Sequence, residues 1–380
     1  MMSNKHFRIS HFYIFFCLFG ITFQVKGQIE KLISNEVETA RTDAYQLQLE
    51  TYLRHYLIDE YEERSAKAWN RDYSSIDALK RSVEPNRQRW GAILGPPDLR
   101  KSGPLSRKPC LLDNIQAEWI ELPLGTITAQ AILAFPAGAS KQKPSPIVIV
   151  QHGIGGYPES TFTPEYYNEY AKELLKAGFA IIVPMNLREK DRRNHIERLC
   201  RLANTTLPGI ELRRLQNLLD IVLTDPRVDP EKVGMWGVSL GGMATMFWMP
   251  LEPRIKVGVV SGWFNERRNI MVLPDDRYSA FITGIEDHAY FKGWLTEFSD
   301  YDIVSLICPR PLLIQQGKKD RIAYWPQVVE EFNKSKVVYE KLNIADRIEL
   351  NMHEGGHEAI INTGIGFMNK WLKPSSDNKK

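Results

Sequence analysis

The stretch from Gln28 to Trp90 contains no glycine and only one proline, Pro85. Apolar residues recur there with helical spacing, at Leu49, Leu53, Tyr56 and Leu57. The two features together predict a helical N-terminal section that packs against the residues following it. A Gly/Pro/Ser-rich passage, GAILGPPDLRKSGPLSRKP, then marks a change of architecture.

Cysteine is scarce, with four residues in the whole chain. Cys17 lies in the N-terminal apolar segment, which leaves Cys110, Cys200 and Cys308. An odd number of cysteines in an exported chain allows at most one disulfide among the three. Cys308 lies just before the strand-like PLLIQQ and is expected to be a buried apolar residue. Whether Cys110 and Cys200 pair stays open at this point.

No apolar run is long enough to span a membrane. Lys5 and Arg8 precede the apolar run Phe12 to Phe23, which is well short of the roughly 20 residues that a spanning helix needs. The small-residue pattern Val25-Lys26-Gly27 follows. This layout predicts a cleaved secretory signal over residues 1–27, with Gln28 as the mature N-terminus and a secreted or periplasmic location.

A charge excess is also lacking outside that segment. The formal charge of +3 is carried by Lys5, Arg8 and Lys26, because the remaining chain has equal numbers of basic and acidic residues. A nucleic-acid-binding surface is therefore not expected.

The rest of the chain alternates short apolar runs with amphipathic segments. A hairpin is predicted around Leu124-Gly125-Thr126, and six further strands are predicted at 147–151, 179–184, 233–239, 255–261, 311–316 and 348–352. Helices are predicted near 165–178, 208–225 and 326–343. Continuous apolar strands between such helices indicate a mostly parallel, doubly wound α/β sheet. The expected domains are a helical extension (28–110), a catalytic domain (111–374) and a polar tail (375–380).

Gly237-Val238-Ser239-Leu240-Gly241 lies where a predicted strand meets a predicted helix. G-x-S-x-G at such a junction is the nucleophile elbow, in which the backbone turns too tightly for any residue but glycine two positions either side of the serine. Ser239 is therefore the candidate nucleophile.

A second glycine-rich stretch, His152-Gly153-Ile154-Gly155-Gly156, directly follows the strand IVIVQ. Acyl transfer requires backbone N–H groups that point at the developing oxyanion. The expected donors are the amides of Ile154 and Leu240. An ordinary strand-to-helix turn would use similar glycines, but the position upstream of the elbow favours the oxyanion interpretation.

The acid and the base should follow Ser239 in the order Ser, Asp or Glu, His. Asp320 is the predicted acid because it lies just beyond the strand PLLIQQ and Gly317, although Gly-Lys-Lys-Asp also forms ordinary turns. Glu266 is the reserve candidate for the acid. His357 is the predicted base, while His353, at the end of a strand, is expected to support the loop.

The segment His353-Glu354-Gly355-Gly356-His357 also matches the H-E-x-x-H pattern of zinc peptidases. That pattern requires both histidines on one turn of a helix, and two mid-helix glycines cost about 2 kcal/mol relative to alanine. A third ligand is missing too, since only Asp377 follows Glu358 among histidines and acids. The pattern therefore does not predict a metal site, and the roles of His353 and Glu354 beyond bracing the loop stay open.

These motifs resemble the α/β-hydrolase superfamily, and within it the dienelactone-hydrolase and acetyl-xylan-esterase-like branch. The resemblance is carried by VQHGIGG, LPGIELRRLQNLLDIVLTDPRVDPEKVGMWGVSLGG, PRPLLIQQGKKDRIA and HEGGHE, and covers residues 115–373. It implies ester hydrolysis without a metal or organic cofactor, with Ser239, Asp320 and His357 as the triad and Ile154 and Leu240 as oxyanion donors. The helical lead-in is similar to the N-terminal extension of bacterial members.

The predicted function is an exported serine esterase acting on a small-molecule or oligosaccharide ester, such as acetylated xylan. Arg188, Arg267 and Arg268 follow strand ends and are candidates to bind a substrate carboxylate, although interleaved acids equally fit a solvated surface. A serine peptidase of the prolyl-oligopeptidase type is the alternative, but the helical lead-in is far too short for a propeller. A catalytically silent hydrolase fold used for binding is the third hypothesis.

Overall fold

The computed structural model describes residues 34–112, 114–277 and 281–373. The chain divides into two compact units, Met1–Asp59 and Glu60–Lys380. In the first unit the described residues form helix α1 (Asn35–Arg54) and a π-helical turn (His55–Asp59). Ser34 caps α1, since its hydroxyl accepts the Val37 amide. The predicted signal peptide (1–27) and polar tail (375–380) lie outside the described residues.

A membrane-spanning helix does not occur within the described residues, where every helix is too short or too polar to cross a bilayer.

A nine-stranded sheet forms the second unit, with the strand order β1-β2-β3-β5-β4-β6-β7-β8-β9. The strands are β1 (Ser106–Leu112), β2 (Ile115–Leu124), β3 (Ile127–Ala134), β4 (Ser145–Gln151), β5 (Ala180–Pro184), β6 (Val228–Val238), β7 (Ile255–Ser261), β8 (Leu312–Gly317) and β9 (Ile348–His353). In this order, neighbouring strands are antiparallel along β1-β2-β3-β5 and parallel along β5-β4-β6-β7-β8-β9. The predicted α/β fold class is confirmed.

Helices cover both faces of this sheet, which is why every residue of β4, β5 and β8 is buried. The helices of this unit are α2 (Tyr61–Ala68), α3 (Ile76–Ser82), α4 (Glu84–Leu94), α5 (Tyr170–Lys176), α6 (Lys190–Leu202), α7 (Leu207–Val222), α8 (Leu240–Trp248), α9 (Arg267–Val272), α10 (Asp300–Ile307), α11 (Trp325–Glu340) and α12 (Ile361–Leu372). On one face α5 and α12 pack over a core that includes Val148 and Trp236. Helices α7, α8, α10 and α11 pack on other parts of the sheet and on one another.

Three sequence-based boundaries differ from the structure. The expected division between residues 110 and 111 falls inside β1, an edge strand that the sequence analysis did not predict. Helices α2 to α4 belong to the same unit as the sheet. The helix expected near 165–178 is regular only from Tyr170, because the three residues before it have positive φ.

The three cysteines within the described residues do not form disulfides. Cys110, Cys200 and Cys308 are all free, so Cys110 and Cys200 do not form a disulfide. Cys308 is buried as expected.

Candidate active site

Ser239 occupies a strained turn between β6 and α8, with φ 59° and ψ −120°. Its amide donates to the Ser261 carbonyl at the end of β7, at 2.8 Å. A Cβ on Gly237 would lie 1.9 Å from the Gly241 oxygen, and a Cβ on Gly241 would lie 1.9 Å from the Gln151 oxygen. Only glycine fits at these two positions, and the turn leaves the Ser239 side chain partly exposed at the carboxyl edge of the sheet.

The loop after β4 approaches Ser239 closely. A Cβ on Gly153 would lie 3.1 Å from the Ser239 Cβ. His152 is buried beneath the loop: its Nδ1 lies 3.0 Å from the Gly153 oxygen, and its Nε2 accepts the Asn186 amide. Burial lowers the pKa of His152 and favours this neutral form.

The two expected oxyanion donors have free amides. Leu240 is the first residue of α8, where an N–H has no acceptor within the helix. Across the described parts of the chain, no backbone acceptor takes the Ile154 amide. Both amides are therefore available to donate a hydrogen bond.

Asp320 and His357 are hydrogen-bonded, with the His357 Nδ1 2.8 Å from the Asp320 Oδ2. The same carboxylate oxygen accepts a hydrogen bond from the Gln316 side-chain carboxamide at 3.0 Å. The other oxygen, Oδ1, accepts the backbone N–H of Ile322 at 3.0 Å. Burial alone would raise the pKa of Asp320, but the hydrogen bond and charge attraction from His357, with these two donors, lower it overall. The carboxylate is thus charged and can orient the imidazole.

Residues on two sides of the site contact both the His357 ring and the neighbourhood of Ser239. A Cβ on Gly262 would lie 2.9 Å from the His357 ring, and Gly262 follows Ser261, the residue that accepts the Ser239 amide. On the other side, the ring of Tyr167 lies edge-on to His357, with 6.4 Å between the centroids. The Tyr167 hydroxyl in turn touches Gly153 beside Ser239.

The loops that carry Asp320 and His357 are bonded to each other. The amides of Lys318 and Lys319 donate to the carbonyls of His353 and Gly355. A Cβ on Gly317 would lie 2.2 Å from the Gly356 oxygen, so glycine is required for this approach.

A buried polar chain fixes the far end of the His357 loop to the sheet. The Trp236 indole donates to the Ser261 hydroxyl, which donates to the Gln315 Oε1 at 2.7 Å. The Gln315 carboxamide then donates to the Ile360 carbonyl at 2.8 Å and accepts the Ile360 amide at 3.1 Å. The sequence analysis missed Gln315, because a glutamine inside an apolar strand gives no signal of its partner.

The histidine pair does not have the geometry of a zinc helix. His353 ends β9, His357 lies in a loop, and α12 begins only at Ile361. The His353 Nδ1 accepts the Gly355 amide at 3.2 Å, so His353 braces the loop. Glu354 is exposed and pairs with Lys318 at 2.6 Å, which ties the loop that carries His357 to the loop that carries Asp320.

The structure contradicts the expectation that Arg267 and Arg268 bind a substrate carboxylate. Arg267 is 1% exposed, pairs with Asp300 at 2.8 Å and stacks on Trp263. Arg268 is also buried and pairs with Glu266 at 2.5 Å. Glu266, the reserve acid, is thereby engaged and also caps α9. Both guanidiniums are thus buried and paired with internal carboxylates.

Arg188 differs from these two because its side chain is 46% exposed. Its guanidinium lies 5.1 Å from the ring centroid of Tyr157, which is itself 42% exposed. The Arg188 carbonyl accepts the Gly155 amide at 2.9 Å, so this pair borders the Gly153–Gly156 loop.

Comparison with known proteins finds sequence similarity to hydrolases. The dienelactone hydrolase family model matches residues 130–271, a range that includes the elbow and the Gly153 loop. YtaP, a candidate hydrolase of Bacillus subtilis strain 168, is 25% identical over 244 residues, which cover 60% of this chain and 79% of that protein.

Two solved structures have a similar fold at low sequence identity. A candidate acetyl xylan esterase from Bacteroides fragilis NCTC 9343 has a TM-score of 0.61 at 15% identity, over 80% of this chain and 87% of that chain. A glucuronoyl esterase from Solibacter usitatus has a TM-score of 0.56 at 12% identity, over 78% of this chain and 94% of that chain.

Proposed function

The chain is an α/β-hydrolase-fold protein of the dienelactone hydrolase type, and from this premise we propose that it hydrolyses carboxylic esters with a Ser239-His357-Asp320 triad. The observation that carries the proposal is the 2.8 Å contact between the His357 Nδ1 and the buried Asp320 carboxylate, with the His357 ring packed against Gly262, the residue after the one that accepts the Ser239 amide. Nucleophile, base and orienting acid are the three parts that acyl transfer requires.

The proposed reaction has two halves. The Ser239 Oγ attacks the ester carbonyl as the His357 Nε2 takes the hydroxyl proton, and the amides of Ile154 and Leu240 bind the resulting oxyanion. The intermediate expels the alcohol, which leaves with the proton from His357, and an acyl-serine remains. A water molecule then gives its proton to His357 and attacks the acyl-serine. The resulting intermediate breaks its bond to the Ser239 oxygen, which takes the proton back from His357 as the carboxylic acid leaves.

The test of the nucleophile is Ser239→Ala, with Ser140→Ala as a control in the partly exposed loop between β3 and β4. Wild type and Ser140→Ala should hydrolyse 4-nitrophenyl acetate and react with one equivalent of a fluorophosphonate, whereas Ser239→Ala should do neither. Intact labelling of Ser239→Ala would disprove the assignment. A correctly folded wild type without turnover or labelling would instead favour the silent, ligand-binding alternative.

We further propose that the substrate is a carbohydrate-linked ester, such as acetylated xylan. The exposed Tyr157 ring and the exposed Trp325 side chain flank the loops after β4 and β8 and offer aromatic faces to sugar rings. Arg188 remains the candidate partner for a uronate carboxylate. A panel of neutral acetylated sugars, acetylated sugars with a free uronate carboxylate, uronate methyl esters, lactones and aminoacyl amides tests this. Preference for the amides would favour the peptidase alternative. Arg188→Gln should weaken turnover only of the esters that carry a free uronate carboxylate.

Export is proposed from the pattern of residues 1–27. Expression of the full sequence in a host with a periplasm should give a protein whose measured intact mass equals that of a chain starting at Gln28. A cytoplasmic product that retains Met1 would contradict export.

A further inference from the structure

Three consecutive non-glycine residues have left-handed backbone conformations. They are Tyr167, Asn168 and Glu169, with φ of 54°, 62° and 49°. Each residue held in a sparsely populated region costs roughly 1–3 kcal/mol, and such strain persists only where the surroundings hold it. The sequence predicts a helix near 165–178, but the regular helix begins only after this turn, at Tyr170. The observed conformation therefore requires a specific cause.

The turn is attached to the loop that carries His357. The Asn168 carboxamide donates to the Glu358 carboxylate at 3.1 Å and to the Ala359 carbonyl at 3.0 Å. The Glu358 carboxylate also accepts the Gly356 amide, next to His357. On the near side, the Glu169 amide donates to the Thr163 carbonyl at 3.2 Å. These bonds hold the strained turn in a fixed position relative to the proposed base.

The turn presents the Tyr167 side chain between His357 and the Gly153 loop. The ring lies edge-on to the imidazole, and the hydroxyl oxygen lies 2.2 Å from the place where a Cβ of Gly153 would stand. The same Cβ position is 3.1 Å from the Ser239 Cβ. Glycine at 153 thus makes room for a hydroxyl beside the proposed nucleophile.

The Tyr167 hydroxyl has no hydrogen-bond partner in residues 34–112, 114–277 or 281–373. By contrast, its neighbours use their hydroxyls internally, since Tyr166 donates to the Gly155 carbonyl and Tyr170 to the Gln151 carbonyl. Burial raises the pKa of Tyr167 to about 12, so the hydroxyl keeps its proton and can donate it in a hydrogen bond.

We propose that the Tyr167 hydroxyl is a third oxyanion donor, which hydrogen-bonds the ester carbonyl oxygen as it becomes negative, together with the amides of Ile154 and Leu240. The inference rests on the proposed esterase function. No proton is transferred: the hydrogen stays on the tyrosine, and the hydrogen bond shortens as charge develops. A donor that acts mainly on the transition state raises kcat more than it lowers KM.

Tyr167→Phe tests the proposal, because it removes one oxygen and retains the ring against His357. Tyr73→Phe is the matched control, a half-buried tyrosine outside the site. With 4-nitrophenyl acetate we expect kcat of Tyr167→Phe to fall about 100-fold and KM to change less than about threefold, the loss typical of one oxyanion donor. Affinity for a phenylboronic acid, which forms a tetrahedral adduct on serine, should fall in parallel, while Tyr73→Phe matches wild type.

Three results would overturn the assignment: kcat within about threefold of wild type, a change confined to KM, or a fall in kcat without loss of boronate affinity. Unchanged stoichiometric labelling of Tyr167→Phe by fluorophosphonate shows that the site has folded. A wild type that neither turns over esters nor labels would refute the esterase proposal itself, whereas an active wild type with an equally active Tyr167→Phe refutes only the role of Tyr167.

Discussion

His353 ends β9 and His357 lies in the loop that follows, and the two histidines bind different partners. His357 contacts the Asp320 carboxylate, whereas the His353 Nδ1 accepts the Gly355 amide. Burial lowers the pKa of His353, so this ring is held neutral as a loop brace.

We expect His357→Gln to reduce kcat about 10⁴-fold or more, as removal of a triad member does. His353→Gln should reduce it less than about tenfold, the equivalent of one hydrogen bond. Steady-state ester kinetics on both variants check this, and the reverse order would exchange their roles.

Glu331 is a buried carboxyl group outside the proposed site, and burial, reinforced by Glu266, raises its pKa to about 8. The folded state then binds this proton more tightly than the unfolded state, so the contribution of Glu331 to stability falls as pH rises from the ordinary glutamate range to about 8. Glu331→Gln mimics the protonated form and keeps an acceptor for the Tyr301 amide.

We therefore expect wild type to lose more thermal stability than Glu331→Gln between pH 5.5 and 8.5, at about 1.4 kcal/mol for each unit of pKa shift. Calorimetry or circular dichroism melts at the two pH values measure the difference. Glu330→Gln, an exposed neighbour on α11, is the control and should follow wild type. Identical pH dependence in all three proteins would show that Glu331 is not protonated near neutrality.

Single residues differ in how far the neighbouring sequence determines the position of the side chain. Ser239 could be predicted because the steric limits at Gly237 and Gly241 produce a short, fixed motif. Arg267 and Arg268 could not be placed, because the same arginines after a strand fit either a solvent-facing loop or buried pairs with distant acids. Tyr167 gave no signal, since its position depends on Asn168 reaching Glu358, far along the chain.

At the scale of elements, α12 contains two glycines with opposite surroundings. A Cβ on Gly364 would lie 2.1 Å from the Trp236 ring, whereas nothing lies within 4 Å of a Cβ on Gly366. Gly364→Ala should force Trp236 to move and destabilise the fold by about 1–3 kcal/mol. Gly366→Ala should stabilise it by about 0.5–1 kcal/mol, because alanine loses less backbone entropy in a helix. Urea denaturation of both variants measures the two signs, and equal effects would contradict this packing of α12.

The elements that the sequence predicted are those with a strong apolar pattern. Strands β4, β5 and β8 are buried on both faces and appear as continuous apolar runs. Strand β1 is a mostly exposed edge with the sequence SRKPCLL, which has neither a continuous run nor a clear alternation. Helix α6, with the sequence KDRRNHIERLCRL, was missed because charge masks its buried face, where Arg193 pairs with Glu211 at 2.7 Å.

At the scale of the whole molecule, helices α2 to α4 complete the core under the elbow. Trp90 of α4 is fully buried, and its indole donates to the Phe247 carbonyl in α8 at 3.0 Å. Its ring lies edge-on to Phe247, 4.9 Å between centroids, and also contacts Phe298. The sequence analysis expected a helical section that packs against the residues following it, but the contact with α8 depends on side chains about 160 positions apart.

Trp90→Ala should therefore destabilise the whole second unit rather than α4 alone. We expect the free energy of unfolding to fall by about 3–5 kcal/mol, since the change leaves a cavity and an unpaired Phe247 carbonyl. Urea denaturation followed by far-UV circular dichroism measures the loss without relying on tryptophan fluorescence. Leu202→Ala, at a side chain 87% exposed, is the surface control and should remain within about 0.5 kcal/mol of wild type. Because α8 begins at Leu240, esterase activity should disappear over the same urea range as helicity in Trp90→Ala. If α4 melted separately while activity persisted, the N-terminal helices would be an appendage and not part of the catalytic core.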